Sequence, residues 1–264
     1  MDKRVFFLSG LPRSGSTLLG SLLGQNPDFT VTPTSPILDL LCATNGALDM
    51  VNKTYTFDYK TKSENIYKAM IEGFYADIKT KYIIDKHRGY PKNIVPLRMF
   101  FEPNPKIICT NRPVADVLTS YISLIEKNND PVNFVDEELR KQRLPVNNAN
   151  RAKILWEGFV SDPYNSMVHG IKNARNNLYI VEYDSLVNDP NRILKEIYEF
   201  LELEPFDNHQ FNNIHNYCAE EKDQAWGLRN LHDIRKNLGK TSKPAKEVLG
   251  AFLESHYNQF NLKY

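Results

Sequence analysis

Apolar residues along this chain form short continuous runs that alternate with stretches repeating at three- and four-residue intervals. Val5-Phe6-Phe7-Leu8, Tyr82-Ile83-Ile84-Asp85, Lys106-Ile107-Ile108-Cys109-Thr110 and Leu178-Tyr179-Ile180-Val181-Glu182-Tyr183 read as buried strands. Phe29-Thr30-Val31-Thr32 reads as a shorter one, stopped by Pro33. Helical spacing follows each run. It is carried by Leu18, Leu19, Leu22 and Leu23 from Ser16 to about Gln25, and by Ile37, Leu38, Leu40 and Leu41 after Pro36. Ile66, Met70, Ile71 and Phe74 carry it from Glu64 to about Lys79, with Ser63 as the cap. Further helices are predicted from Pro91 to about Phe101 and through Val114, Val117, Leu118, Tyr121 and Leu124 after Asn111-Arg112-Pro113. A short helix is expected near Asp136–Lys141, and a long one over about 148–173 with Trp156 and Phe159 on its inner face. Asp189-Pro190 starts a helix through Ile193, Leu194, Ile197, Tyr198 and Leu201, and Glu247–Phe260 ends the chain as another. Residues 45–62 are polar and aperiodic and are expected as a loop at a substrate rim, and most of 128–147 as irregular. Residues 205–244 carry no assignable pattern. Strands alternating with helices predict an α/β fold of three layers, a central mainly parallel sheet flanked by helices, as one domain over residues 1–264.

The first strand runs into Gly10-x4-Gly15-Ser16-Thr17, the P-loop-like frame of strand, glycine loop and helix that cradles phosphates. Ser16 stands where an NTPase carries its lysine. The loop physics survives that change. Glycines let the backbone approach a ligand, and the free N–H groups and dipole of the first helical turn favour an anion. Ser14, Ser16 and Thr17 offer hydroxyls, and Arg13 offers positive charge as a planar fork. A phosphate-like group is therefore expected here. In open parallel sheets ligands sit beyond the carboxyl ends of the strands. The other strands end on Asp85, Lys86 and His87, on Arg112, and on Tyr183 and Asp184.

Leu11-Pro12-Arg13-Ser14-Gly15-Ser16-Thr17-Leu18 resembles the 5′-phosphosulfate loop of sulfotransferases, especially the bacterial and tyrosylprotein branches, which use 3′-phosphoadenosine-5′-phosphosulfate (PAPS). Arg112 with Ser120 eight positions later is similar to the family's 3′-phosphate site, and Tyr183 to the tyrosine that lines the nucleotide. The resemblance implies sulfuryl transfer from PAPS to a hydroxyl-bearing acceptor, with release of PAP and no required metal. It gives Lys86 the role of the lysine that reaches the leaving phosphate, assisted by Arg13 and the loop amides. The base is left open. A family glutamate would fall at Thr34, which cannot serve at neutral pH. A family histidine lies two positions past the lysine, whereas His87 directly follows Lys86; Asp85 and an unseen residue are the other options. The family also places a closing loop over the nucleotide within Trp226–Gly250, where Arg229, Arg235, Lys236, Lys240 and Lys243 offer charge.

A net charge of +1 excludes a global field for nucleic acid or membrane, so any anion site has to be local. Cys42, Cys109 and Cys218 are odd in number and lack metal-ligand spacing, which reads as free thiols in a reducing, cytoplasmic compartment. The chain enters its first strand without a signal peptide or membrane helix, unlike the membrane-anchored Golgi members of the resembled family. The acceptor class (sugar, lipid, small molecule or peptide tyrosine) and the oligomeric state are not legible. Two other readings stand beside sulfuryl transfer. One is a nucleotide kinase or phosphotransferase, with Asp85 as its metal aspartate and Ser16 against it. The other is a non-catalytic nucleotide-binding protein, favoured by Thr34.

Overall fold

A computed structural model describes residues 3–54, 59–130, 132–216, 228–239 and 243–264. Five strands, β1 (Arg4–Gly10), β2 (Phe29–Thr34), β3 (Tyr82–Lys86), β4 (Ile107–Asn111) and β5 (Leu178–Glu182), form one sheet ordered β2-β3-β1-β4-β5. Every pairing is parallel, with Phe7 opposite Asp85 on one side of β1 and Ile107 on the other. Because β1 is flanked on both sides and covered on both faces, Phe6, Phe7 and Leu8 are wholly buried.

The helices are α1 (Ser16–Leu23), α2 (Ile37–Thr54), α3 (Tyr59–Phe74), α4 (Ile94–Phe100), α5 (Val114–Asn128) and α6 (Phe134–Lys141). They continue with α7 (Asn148–Leu155), α8 (Ser161–Ala174), α9 (Tyr183–Asn188), α10 (Pro190–Leu201) and α11 (Ala245–Asn258). Side chains alternate across the sheet. Val5 and Phe7 pack with Ile83, Ile107 and the apolar stripe of α5. Phe6 and Leu8 pack on the other face with Ile84, Ile108 and the stripes of α1 and α10. The helices that follow β1 and β4 thus leave to opposite faces, and a crevice opens where those two strands end.

Several boundaries depart from the sequence reading. Residues 45–54 continue α2 and 59–62 begin α3, so most of the expected loop is helical. Leu48 there packs against the core, while Asp49, Lys53, Thr54, Thr61 and Lys62 are exposed, which hides the helical period. β2 runs through Pro33 to Thr34, tolerated because β2 is an edge strand and its register against β3 shifts between Val31 and Thr34. The long helix over 148–174 widens into a π turn at Trp156–Val160, where Trp156 meets Phe260 at 4.5 Å between ring centres. Tyr183 opens α9 rather than closing β5. Cys218 lies outside the described residues.

Candidate active site

The glycine loop is shaped by what it touches. Gly10, at φ +128°, lies so close to β4 that a Cβ would sit 2.1 Å from the Thr110 carbonyl oxygen. Gly15, at φ +93°, faces Tyr183, whose ring would be 2.8 Å from a Cβ. Both positions need glycine twice over, for the left-handed backbone and for the space. Arg13 adopts φ +57° without that excuse, a strained conformation of the kind that gathers at functional sites. Ser14 is fully buried, and its hydroxyl bonds the Leu11 carbonyl and, at 2.6 Å, Thr110 Oγ1. Its side chain therefore braces the loop through Leu11 and Thr110.

Beyond the loop lies a cavity of about 450 Å³. Its walls include Arg13, Gly15, Ser16 and Thr17 from the loop and α1, Arg112 after β4, Ser120 on α5, and Tyr183 on α9. Arg13 Nε donates to Ser120 Oγ at 3.2 Å, and its guanidinium also bonds the Leu231 carbonyl. Arg112 donates to the Arg13 carbonyl at 3.4 Å and stacks its guanidinium 4.7 Å above the Tyr183 ring. Residues from β1, β4, α5 and α9 thus converge on one space. Arg112 is on the same side of the sheet as Gly15.

Lys86 is almost wholly buried at the end of β3, with Nζ donating to Thr17 Oγ1 at 3.4 Å. It touches Thr17 of the cavity wall without being on the wall itself. Asp85, one residue earlier, points the opposite way. It is fully buried and accepts hydroxyl bonds from Tyr75 at 2.7 Å and from Tyr90. Burial raises its carboxyl above the ordinary range, and the two tyrosine hydroxyls partly offset that. A carboxyl so enclosed does not present itself to a metal-bound nucleotide, which removes the main support for the kinase reading. His87 is held on the same turn. Its Nδ1 accepts the Gly89 amide at 3.0 Å, and its Nε2 lies 3.3 Å from Asp39 Oδ2. The ring is not among the groups that line the cavity.

Sequence reasoning missed Arg88, Ser123, Lys127 and His232, which also line the cavity. For α5 a signal was there: Ser120, Ser123, Leu124 and Lys127 follow helical spacing on one face. Of the late basic residues, Arg235 reaches the cavity, while Arg229 pairs with Asp130 and Lys243 is not on its wall. Trp226 and Lys240 lie outside the described residues. Arg13, Arg88, Arg112, Lys127 and Arg235 set five cations against Asp233, a concentrated positive site in a chain of net charge +1. Among the described residues no group of three His, Cys, Asp or Glu is placed to hold a metal, and no helix is long and apolar enough to cross a membrane.

A family model described as "Sulfotransferase family" matches residues 6–208. No curated protein sequence matches. Among solved structures, the chain is similar to mouse sulfotransferase SULT7A1 complexed with PAP, at 14% identity and TM-score 0.54, covering 98% of this chain and 83% of that one. It is also similar to sulfotransferase STF9 from Mycobacterium avium, at 14% identity and TM-score 0.54, covering 98% and 75%. A sulfotransferase domain from the Synechococcus PCC 7002 olefin synthase is similar at 19% identity and TM-score 0.52, covering 99% and 96%. At such identities the structural likeness speaks for the fold.

Proposed function

The chain belongs to the sulfotransferase family and is a transferase of sulfo groups, and on that footing we propose that its donor is PAPS and its acceptor a hydroxyl compound. One observation carries the donor assignment: Arg112 and Ser120 line the same cavity as the Gly15 loop. A nucleotide with a phosphosulfate at one end and a ribose 3′-phosphate at the other has a partner for each. The loop amides, Ser16, Thr17 and Arg13 suit the first, and Arg112 with Ser120 the second. Tyr183, under the Arg112 guanidinium, suits the wall between them. The solved complex of SULT7A1 with PAP supports the same choice of nucleotide.

In the reaction the acceptor oxygen bonds to sulfur while the bond from sulfur to the 5′-phosphate oxygen breaks. PAP leaves with the electron pair, and the acceptor proton passes to a base. Lys86, one hydrogen bond from Thr17, is placed to meet charge growing on that leaving oxygen, with Arg13 and the loop amides beside it. For the proton we propose His87. Its Nδ1 lone pair is taken by the Gly89 amide, so Nε2 carries the proton towards Asp39. An acceptor hydroxyl that displaces the amide would find Nδ1 ready, with Asp39 behind the ring to stabilise the cation. Cys42 and Cys109 are both unpaired, which supports a reducing, cytoplasmic setting.

The test is transfer itself. Sulfur-labelled PAPS incubated with the protein and a panel of phenols, sugars, lipids and tyrosine peptides is expected to give a labelled acceptor and PAP in equal amounts. PAP bound tightly with no label moved to any hydroxyl would favour the non-catalytic reading.

A further inference from the structure

Arg88 lines the cavity beside the residues suited to the two phosphates. It stands two residues beyond Lys86, in the turn that follows β3. Its backbone is fixed from two directions: the carbonyl accepts the Ser9 hydroxyl of β1 at 3.1 Å and the Ser166 hydroxyl of α8 at 3.0 Å. The next amide, that of Gly89, is tied to His87 Nδ1 at 3.0 Å. Two hydroxyls on one carbonyl oxygen hold the backbone of the turn at Arg88 in place. The Arg88 side chain lines the cavity, and among the described residues its guanidinium makes no hydrogen bond or ion pair. Arg13 and Arg112, by contrast, are already engaged with Ser120, Leu231 and the Arg13 carbonyl.

The place of Arg88 sets its partner. The groups suited to the two phosphates come from β1 and its loop, from the end of β4, and from α5. Arg88 enters instead from the end of β3, the strand that also carries Lys86 against Thr17. If Lys86 meets the leaving oxygen, the sulfuryl group beyond it lies towards β3. On the reading that PAPS is the donor, on which this inference rests, we propose that Arg88 binds the sulfonate oxygens of the bound donor. A planar guanidinium matches a sulfonate as it matches a phosphate, by paired charge-assisted hydrogen bonds, and it would orient the sulfuryl group towards the acceptor. Arg88 is then the residue that tells PAPS from PAP.

That difference is measurable without knowing the acceptor, because PAP lacks only the sulfonate. PAPS and PAP are titrated calorimetrically into the wild type and into Arg88→Met, Arg88→Gln and Arg88→Lys, and the thermal midpoint of each variant is recorded. Both neutral variants are expected to lose ~10-fold or more in PAPS affinity and to bind PAP as the wild type does, with Arg88→Lys in between. If either neutral variant alone folds, it carries the comparison. Equal losses for PAPS and PAP would make Arg88 a phosphate or structural group and overturn the proposal, as would no loss for either. A wild type that binds neither nucleotide would instead refute the donor assignment.

Discussion

Arg13 Nε donates to Ser120 Oγ at 3.2 Å, joining the loop after β1 to the middle of α5 across 107 residues of sequence. The bond links the two proposed anion sites of the cavity, one made of backbone amides and one of a guanidinium and a hydroxyl. It also explains how a loop arginine in a left-handed backbone is held in place.

Lys86 separates binding from chemistry. It touches Thr17 without being on the wall that would hold the adenosine phosphates. Lys86→Ala is expected to lower kcat by ~100- to 1,000-fold, as for loss of a group that stabilises transition-state charge, with a smaller loss in PAP affinity, since PAP keeps the leaving oxygen. Single-turnover sulfuryl transfer and PAP titration on the same variant check this. A parallel loss in both would place Lys86 among the binding groups.

Gly15 is constrained by Tyr183. An alanine there meets the Tyr183 ring at 2.8 Å and keeps φ at +93°, a backbone cost of about 1–2 kcal/mol for a residue with a Cβ. Gly15→Ala is expected to weaken PAP binding by ~10-fold or more, in line with that cost and a displaced loop. Tyr183→Ala in the same chain removes the clash but not the backbone strain, so the double variant is expected to bind PAP more weakly than Tyr183→Ala alone, the reference for recovery. Full recovery in the double variant would show that the strain at Gly15 does not matter.

The fold was largely legible, and the site only in part. Strand cores such as Phe6-Phe7-Leu8 are buried on both faces, so a continuous apolar run marks them. The glycine loop and Arg112 were legible because their chemistry sits at strand ends. α2 beyond Ala43 was not, since that stretch keeps few apolar residues in contact with the core and most of its side chains face solvent. The bond from Ser14 to Thr110 was not legible, because residue type alone does not say which neighbour a hydroxyl meets. Arg88 was missed because no local pattern distinguishes a cavity arginine from a solvated one. Its backbone is held by Ser9 and Ser166, which are remote in sequence.

Asp85 gives a pH signature of the sheet's underside. Burial raises its carboxyl, so the folded state holds the proton more tightly than the unfolded chain does. Its contribution to stability is then full below about pH 3.8, the ordinary value, and is lost as pH rises through the folded value. Asp85→Asn cannot ionise and escapes that loss. Urea unfolding of both proteins at pH 4 and pH 7 is expected to show the stability of Asp85→Asn, relative to wild type, improving at the higher pH. A difference that is flat or shrinks would mean that Asp85 is ionised in the fold at both values.

The measurement closest to the central claim compares adenosine 3′,5′-bisphosphate with AMP, which differ only in the 3′-phosphate. If Arg112 and Ser120 hold that group, the wild type binds the bisphosphate ~100-fold more tightly, the worth of a bidentate charge-assisted contact, and Arg112→Met erases the preference while leaving AMP binding unchanged. Equal affinity for the two nucleotides in the wild type would contradict the account.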